Sequence, residues 1–133
     1  MRKKIGRTEI ISLPELKIEK VSAKVDTGAY GVALHVDSID LSDNKLFVRI
    51  NDNIFEYDKF RMISVKNSFG RVQKRFSVLT KIEIGDKIYK FYVSLTNRKN
   101  MRYSVLIGRR FLYKFDYLVD VKKKNINDTT KKV

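Results

Sequence analysis

Two segments carry residue types whose spacing could do chemistry. In Ala23-Lys24-Val25-Asp26-Thr27-Gly28-Ala29, a strand-like run leads into a carboxylic acid, a hydroxyl and a glycine. In Ser104-Val105-Leu106-Ile107-Gly108-Arg109-Arg110-Phe111-Leu112, an apolar run leads into a glycine and two arginines. A carboxylate fixed at a strand end can take a proton from water or lend one to a carbonyl, which is general acid–base catalysis. Asp and Gly are also ordinary turn residues, so Asp-Thr-Gly alone describes a tight loop equally well. The pairing of the two segments gives the first its weight.

Other chemistries are poorly supplied. The chain has no cysteine, which removes disulfides, thiol nucleophiles and thiolate zinc sites together. Its single histidine, His35, argues against a histidine-rich metal centre and against most serine-hydrolase triads. With a carboxylate such as Asp37, His35 makes a poor zinc set and reads as a hydrogen-bonded structural residue. No glycine-rich phosphate loop of the P-loop type is present. The residues imply no metal and no cofactor.

The 133 residues, 43% of them hydrophobic, suit one domain with a single core. The formal charge is +14. Each end contributes +4 and the body from 8 to 121 keeps +6. Such a surface suits an acidic partner, while the abundance of Lys, Asn and Ile offers a purely compositional explanation. The Phe and Tyr residues are scattered through strand-like segments as core packing would place them, which argues against an RNA-binding module. The basic start, Met1-Arg2-Lys3-Lys4, is followed by no apolar run of signal-sequence length, and no stretch reaches the ~18–20 apolar residues of a membrane span. The expectation is a soluble, cytoplasmic protein.

Two-residue alternation dominates the elements that must position these segments. Strands are predicted at Glu9–Leu13, Glu19–Val25, Val32–Val36, Lys45–Ile50, Ile54–Lys59, Phe60–Val65, Val72–Thr80, Lys81–Ile84, Lys87–Leu95, Tyr103–Ile107 and Tyr117–Val121. Turns fall at Leu13–Leu16, Asn51–Asn53, Lys66–Gly70 and Gly85-Asp86. One short helix is predicted at about Arg109–Tyr113, after Gly108. The fold class is all-β, a barrel or sandwich. Residues 1–121 form the domain, and 122–133 read as a polar, basic tail that frays.

An apolar strand ending in Asp-Thr-Gly-Ala, followed much later by apolar-apolar-Gly-Arg, resembles the retropepsin-like aspartic proteases. The likeness extends through Val25 to His35, Leu95-Thr96-Asn97-Arg98, Met101-Arg102, Leu106-Ile107-Gly108-Arg109 and Leu118-Val119-Asp120. Together these are similar to the bacterial and archaeal family known as ATP-dependent zinc proteases, which is associated with ribosomal-protein glutamate ligases. The resemblance spans about Ile5 to Val121 and implies a closed retropepsin-like barrel.

It also implies an aspartic peptidase. Such chemistry needs two carboxylates sharing one proton, and two so close titrate as a coupled pair. This chain has one Asp-Thr-Gly and is too short for a two-lobed enzyme, so the pair would be Asp26 from each subunit of a homodimer. By resemblance, Thr27 would bond across the two-fold axis, Gly28 would let substrate approach the backbone, and Ala29 would pack beneath. Gly108 would sit where a side chain would clash, and Arg109 would brace the loop. Asn97, Arg98 and Arg102 would bind a substrate carboxylate or pin their own loop. Either Asn67–Gly70 or Asn51–Asn53 would supply a flap. Tyr30-Gly31-Val32 stands where the family has Arg-Thr-Ser. Retroviral enzymes carry at the position of Tyr30 an Asp that pairs with the following arginine, so Arg109 needs another carboxylate, Asp116 or Asp120. The expected substrate is a peptide, with acidic, Glu-rich tails as the candidate class. The alternative is an inactive basic adaptor for an acidic protein or RNA.

Overall fold

The computed structural model describes residues 2–66, 69–97 and 102–128. The strands are β1 (Lys3–Gly6), β2 (Thr8–Leu13), β3 (Ile18–Val25), β4 (Val32–His35), β5 (Ser38–Ser42), β6 (Lys45–Ile50), β7 (Asn53–Tyr57), β8 (Arg61–Lys66), β9 (Val72–Ile84), β10 (Lys87–Thr96), β11 (Val105–Ile107) and β12 (Tyr117–Asp120). Among the described residues there is one α-helix, α1, at Arg109–Lys114, and a single 3-10 turn at Pro14–Leu16. The fold is therefore all-β with one short helix after Gly108. No helix among the described residues is long and apolar enough to cross a membrane.

Six strands close a barrel in the order β10-β4-β11-β3-β2-β9, with β9 pairing back onto β10. Closure leaves no open sheet edge around the ring. Strand β11 is wedged between β3, which it meets in parallel, and β4, which it meets antiparallel. That wedge brings Ile107 beside Val25, one residue before Asp26. Alternation sets the faces: in β6, Leu46, Val48 and Ile50 are buried while Lys45 and Arg49 are exposed. The core gathers Ile5, Ile11, Leu13, Leu34, Val78, Ile82, Val93, Ile107 and Phe111. Tyr89, Phe91, Phe111, Phe115 and Tyr117 form an aromatic cluster beneath α1, most of its pairs edge-on.

Several elements differ from the sequence reading. Val72–Thr80 and Lys81–Ile84 are one strand, because no turn residue separates them and β2, β8 and β10 share its length. Its outer half, from Val72, pairs only with β8, so the β8–β9 hairpin projects beyond the ring. Strand β1 has two lysines and no alternation to announce it, and it forms by pairing in parallel with β12. Strand β5 pairs with β6 across Asp43-Asn44, both at positive φ as a tight hairpin requires.

Residues 122–128, expected to fray, are bonded to the body instead. Arg7 N–H donates to the Lys123 carbonyl at 2.9 Å, and Asn125 N–H to the Thr8 carbonyl at 2.8 Å. The backbone is thus tied down while the side chains of Lys122, Lys123 and Lys124 stay exposed. The rest of the expected tail, 129–133, lies outside the described residues.

Candidate active site

The site begins where β3 stops. Asp26 N–H donates to the Ile107 carbonyl at 2.9 Å, the last bond of the β3–β11 ladder. The chain then turns. Asp26 Oδ1 accepts Gly28 N–H at 3.0 Å, and the Asp26 carbonyl accepts Ala29 N–H at 3.1 Å. The carboxylate is thus held by its own loop, half-buried, while Thr27 and Gly28 are exposed.

Gly108 and the start of α1 hold the other side of the loop. Arg109 N–H donates to the Ala29 carbonyl at 2.9 Å and Arg110 N–H to the Tyr30 carbonyl at 3.0 Å. The two backbones approach so closely that a Cβ at Gly108 would lie 2.7 Å from the Ala29 carbonyl oxygen and 2.8 Å from Tyr30 C, and would collide with the Gly31 carbonyl. Only glycine fits there without movement.

Arg109 takes a different partner from the one expected. Among the described residues it forms no ion pair with Asp116 or Asp120. Its guanidinium donates to the Gly28 carbonyl at 3.2 Å and lies 5.2 Å from the Tyr30 ring centre. Arg110 lies 5.3 Å from the same ring. With Tyr in place of a carboxylate, Arg109 is held by a carbonyl and a π face.

An open cleft of about 600 Å³ lies beside this loop and meets it at Asp26. Ser22 and Lys24 reach it from one face of β3, Val25 lines it at the strand end, and Asp26 reaches it from the residue just beyond. Arg7 and Thr8 line one side, Arg102, Tyr103 and Leu106 another, and Lys124 and Asn125 a third. Four cations therefore surround one carboxylate, and Arg7, Lys24, Arg102 and Lys124 are all exposed. The cleft favours anionic ligands.

Of the residues singled out from sequence, Asp26, Thr27, Gly28, Ala29, Gly108 and Arg109 come together in one loop assembly, and Arg102 joins the cleft. Asn97 is exposed at the end of β10 and is not among the described lining residues. Arg98 lies outside the described residues, as do Asn67 and Ser68 of one candidate flap. Sequence reasoning missed Arg7, Lys24 and Lys124. The alternation of β3 could have found Lys24; the other two reach the cleft only through the tertiary fold.

The geometry coincides with the family assignment. Residues 4–130 match the RimB-like family, described as retropepsin-like aspartic endopeptidase RimB. The chain belongs to this family. RimB-like similarity extends to curated proteins named probable alpha-L-glutamate ligase: one from Desulfotalea psychrophila is 28% identical over 81% of this chain, and one from Shewanella halifaxensis 25% identical over 79%. The chain spans about a quarter of their length, 26% in each case. A crystal structure of a Legionella pneumophila protein of unknown function is 27% identical with a TM-score of 0.75, covering 96% of this chain and all of that one.

No group of three or more His, Cys, Asp or Glu suited to a metal exists among the described residues. His35 Nε2 meets Asp37 Oδ1 at 3.3 Å. Asp37 Oδ2 also accepts Asn51 N–H at 2.6 Å, and this bond, with His35 adding to it, holds the Asp37 carboxyl below its usual range. The pair ties β4 to the β6–β7 turn.

Proposed function

We propose that this RimB-like chain is an aspartic-type endopeptidase whose catalytic pair is Asp26 from two copies, acting on acidic, Glu-rich peptides. The observation that carries the reading is the Asp26 carboxylate, held at a strand end by its own loop and opening on a cleft lined by four cations. The family match supports the reaction class, and the glutamate-ligase names of the longer relatives support the substrate class.

In this reading one Asp26 is ionised and the other protonated, because two adjacent carboxylates do not both ionise cheaply. The ionised one takes a proton from a water held between them. The protonated one donates a hydrogen bond to the scissile carbonyl. The water oxygen adds to the carbonyl carbon. The nitrogen then gains a proton as the C–N bond breaks, leaving a carboxylic acid and an amine. Thr27 and Gly28, exposed beside the carboxylate, would meet their counterparts and the substrate backbone. Arg7, Lys24, Arg102 and Lys124 would pair with glutamate side chains on either side of the scissile bond.

The glutamate-ligase relatives also favour a second reading, in which the basic cleft holds an acidic chain without cutting it. Light scattering at several concentrations and a cleavage assay on a Glu-tailed peptide separate the two. A dimer that cuts the peptide, with Asp26→Asn folded but inactive, supports the peptidase. A strict monomer, or an active Asp26→Asn, overturns it.

A further inference from the structure

The four cations of the cleft do not all come from the barrel. Lys124 arrives on the segment after β12, and beyond the backbone bonds of Lys123 and Asn125 that segment is anchored by a buried acid that the peptidase reading does not use. Glu9 is 0% exposed. Its Oε2 accepts Gly6 N–H at 2.8 Å and Asn127 Nδ2–H at 3.0 Å, and its Oε1 accepts Asn127 N–H at 3.1 Å. The other Asn127 amide hydrogen serves the Lys4 carbonyl at 3.0 Å. A buried carboxylate is costly unless bonded, and most of its bonds here come from one residue of the C-terminal segment.

Two glycines make room for the same segment. A Cβ at Gly6 would stand 2.7 Å from the Lys123 carbonyl oxygen, and one at Gly85 would stand 2.9 Å from that of Asn127. Between these anchors, Asn125 adopts φ +52° and its side chain accepts from Thr8 Oγ1 at 3.2 Å. Lys124 and Asn125 then face the cleft beside Arg7 and Asp26. Lys124 has no hydrogen-bond or ion-pair partner among the described residues. The family match runs to residue 130, so the segment is part of the family domain.

We propose that residues 122–128 form one wall of the Asp26 cleft, in which Lys124 binds a substrate carboxylate and Glu9, through Asn127, is the residue that positions it. The proposal rests on the acidic-peptide reading above and assigns part of its specificity to a segment outside the barrel.

The test measures binding of a penta-glutamate peptide to the full chain carrying Asp26→Asn, which removes turnover. Amide hydrogen exchange is followed alongside. Lys124→Ala should weaken binding about fivefold, as for one partly solvated ion pair, and leave exchange at Asn125 and Asn127 unchanged. Glu9→Gln should weaken binding to a similar extent and speed exchange at both amides. The double variant should bind no worse than either single one, since Glu9 acts through Lys124. Should Glu9→Gln fail to fold, Asn127→Ala removes one of the side-chain contacts and carries the same expectations. Penta-glutamine should distinguish none of the variants. Peptide affinity indifferent to Lys124 or to the clamp, or effects that add, overturns this inference alone. Failure of the starting protein to bind penta-glutamate at all overturns the acidic-peptide reading and the role of Lys124 with it.

Discussion

Replacing Gly108 by alanine should damage the Asp26 loop, and neighbouring Gly31 provides the control. A Cβ at Gly108 meets the carbonyls of Ala29 and Gly31 and the carbonyl carbon of Tyr30, all backbone atoms with no rotamer to yield. Ordinary contact starts near 3.4 Å and the Ala29 oxygen would stand at 2.7 Å. The loop must therefore retreat by about 0.7 Å. Such a shift carries the bonds Arg109 N–H to Ala29 and Arg110 N–H to Tyr30, now 2.9 and 3.0 Å, past hydrogen-bonding range. Two lost bonds cost about 1 kcal/mol each, and overpacking adds about 1–3. The total, about 3–5 kcal/mol, is a large share of the ~5–15 kcal/mol that holds a domain together. Thermal unfolding followed by circular dichroism should show a fall of about 10–20 °C. Gly31 has nothing within 4 Å of its would-be Cβ and no left-handed φ. Gly31→Ala should change stability by no more than about 1 kcal/mol. Equal stabilities for Gly108→Ala and the unaltered protein, or equal losses for the two variants, would refute the close-approach reasoning.

Other outcomes follow from the same contacts. Asp26→Asn retains an oxygen to accept Gly28 N–H, so its stability should stay within about 1 kcal/mol while peptide cleavage falls to background, read by denaturant melts and mass spectrometry of the peptide. Asp37 has a lowered pKa, so it stabilises the fold above its unfolded value, and this contribution fades as the pH falls below about 4. Asp37→Asn should therefore cost stability at pH 6 and almost nothing at pH 2.5, and equal losses at both would count against the Asn51 bond. Burial, with the Tyr89 hydroxyl adding to it, pushes the Tyr117 hydroxyl above its usual range, and the two oxygens lie 2.8 Å apart. Tyr117→Phe should cost about 1 kcal/mol and remove a late step from an ultraviolet tyrosine titration.

Local signals made much of this legible. Strand β6 falls where buried Leu46, Val48 and Ile50 alternate with Lys45, Phe47 and Arg49 before an Asn-Asp turn. The Asp26 loop and its Gly108 brace were readable because each is a contiguous motif at a strand end. What escaped detection depends on partners far away in sequence. Strand β1 owes its conformation to Tyr117–Asp120, and two lysines in four residues hide it. Residues 122–128 look like a solvated tail because nothing local reveals that Asn127 meets the buried Glu9. Arg7 and Lys124 converge on the cleft only once the chain ends are joined. Arg109 shows the reverse case: its position was legible, but with Tyr30 opposite, the expected carboxylate gave way to a carbonyl and a ring.

The wedge of β11 between β3 and β4 orders events during synthesis. Strands β3 and β4 flank the Asp26 turn, and the strand that separates them is made much later than either. Arg109 and Gly28, which it brings into contact, are 81 residues apart. At ~5–20 residues per second, a nascent chain spends about 4–16 s with the Asp-Thr-Gly segment made and its support absent. In that interval Asp26 N–H has no Ile107 carbonyl to meet, and the two neighbouring strands have no ladder between them. The turn is thus completed only after residue 107 has been made, and a chain broken off before that residue carries the acid without the geometry that could make it reactive.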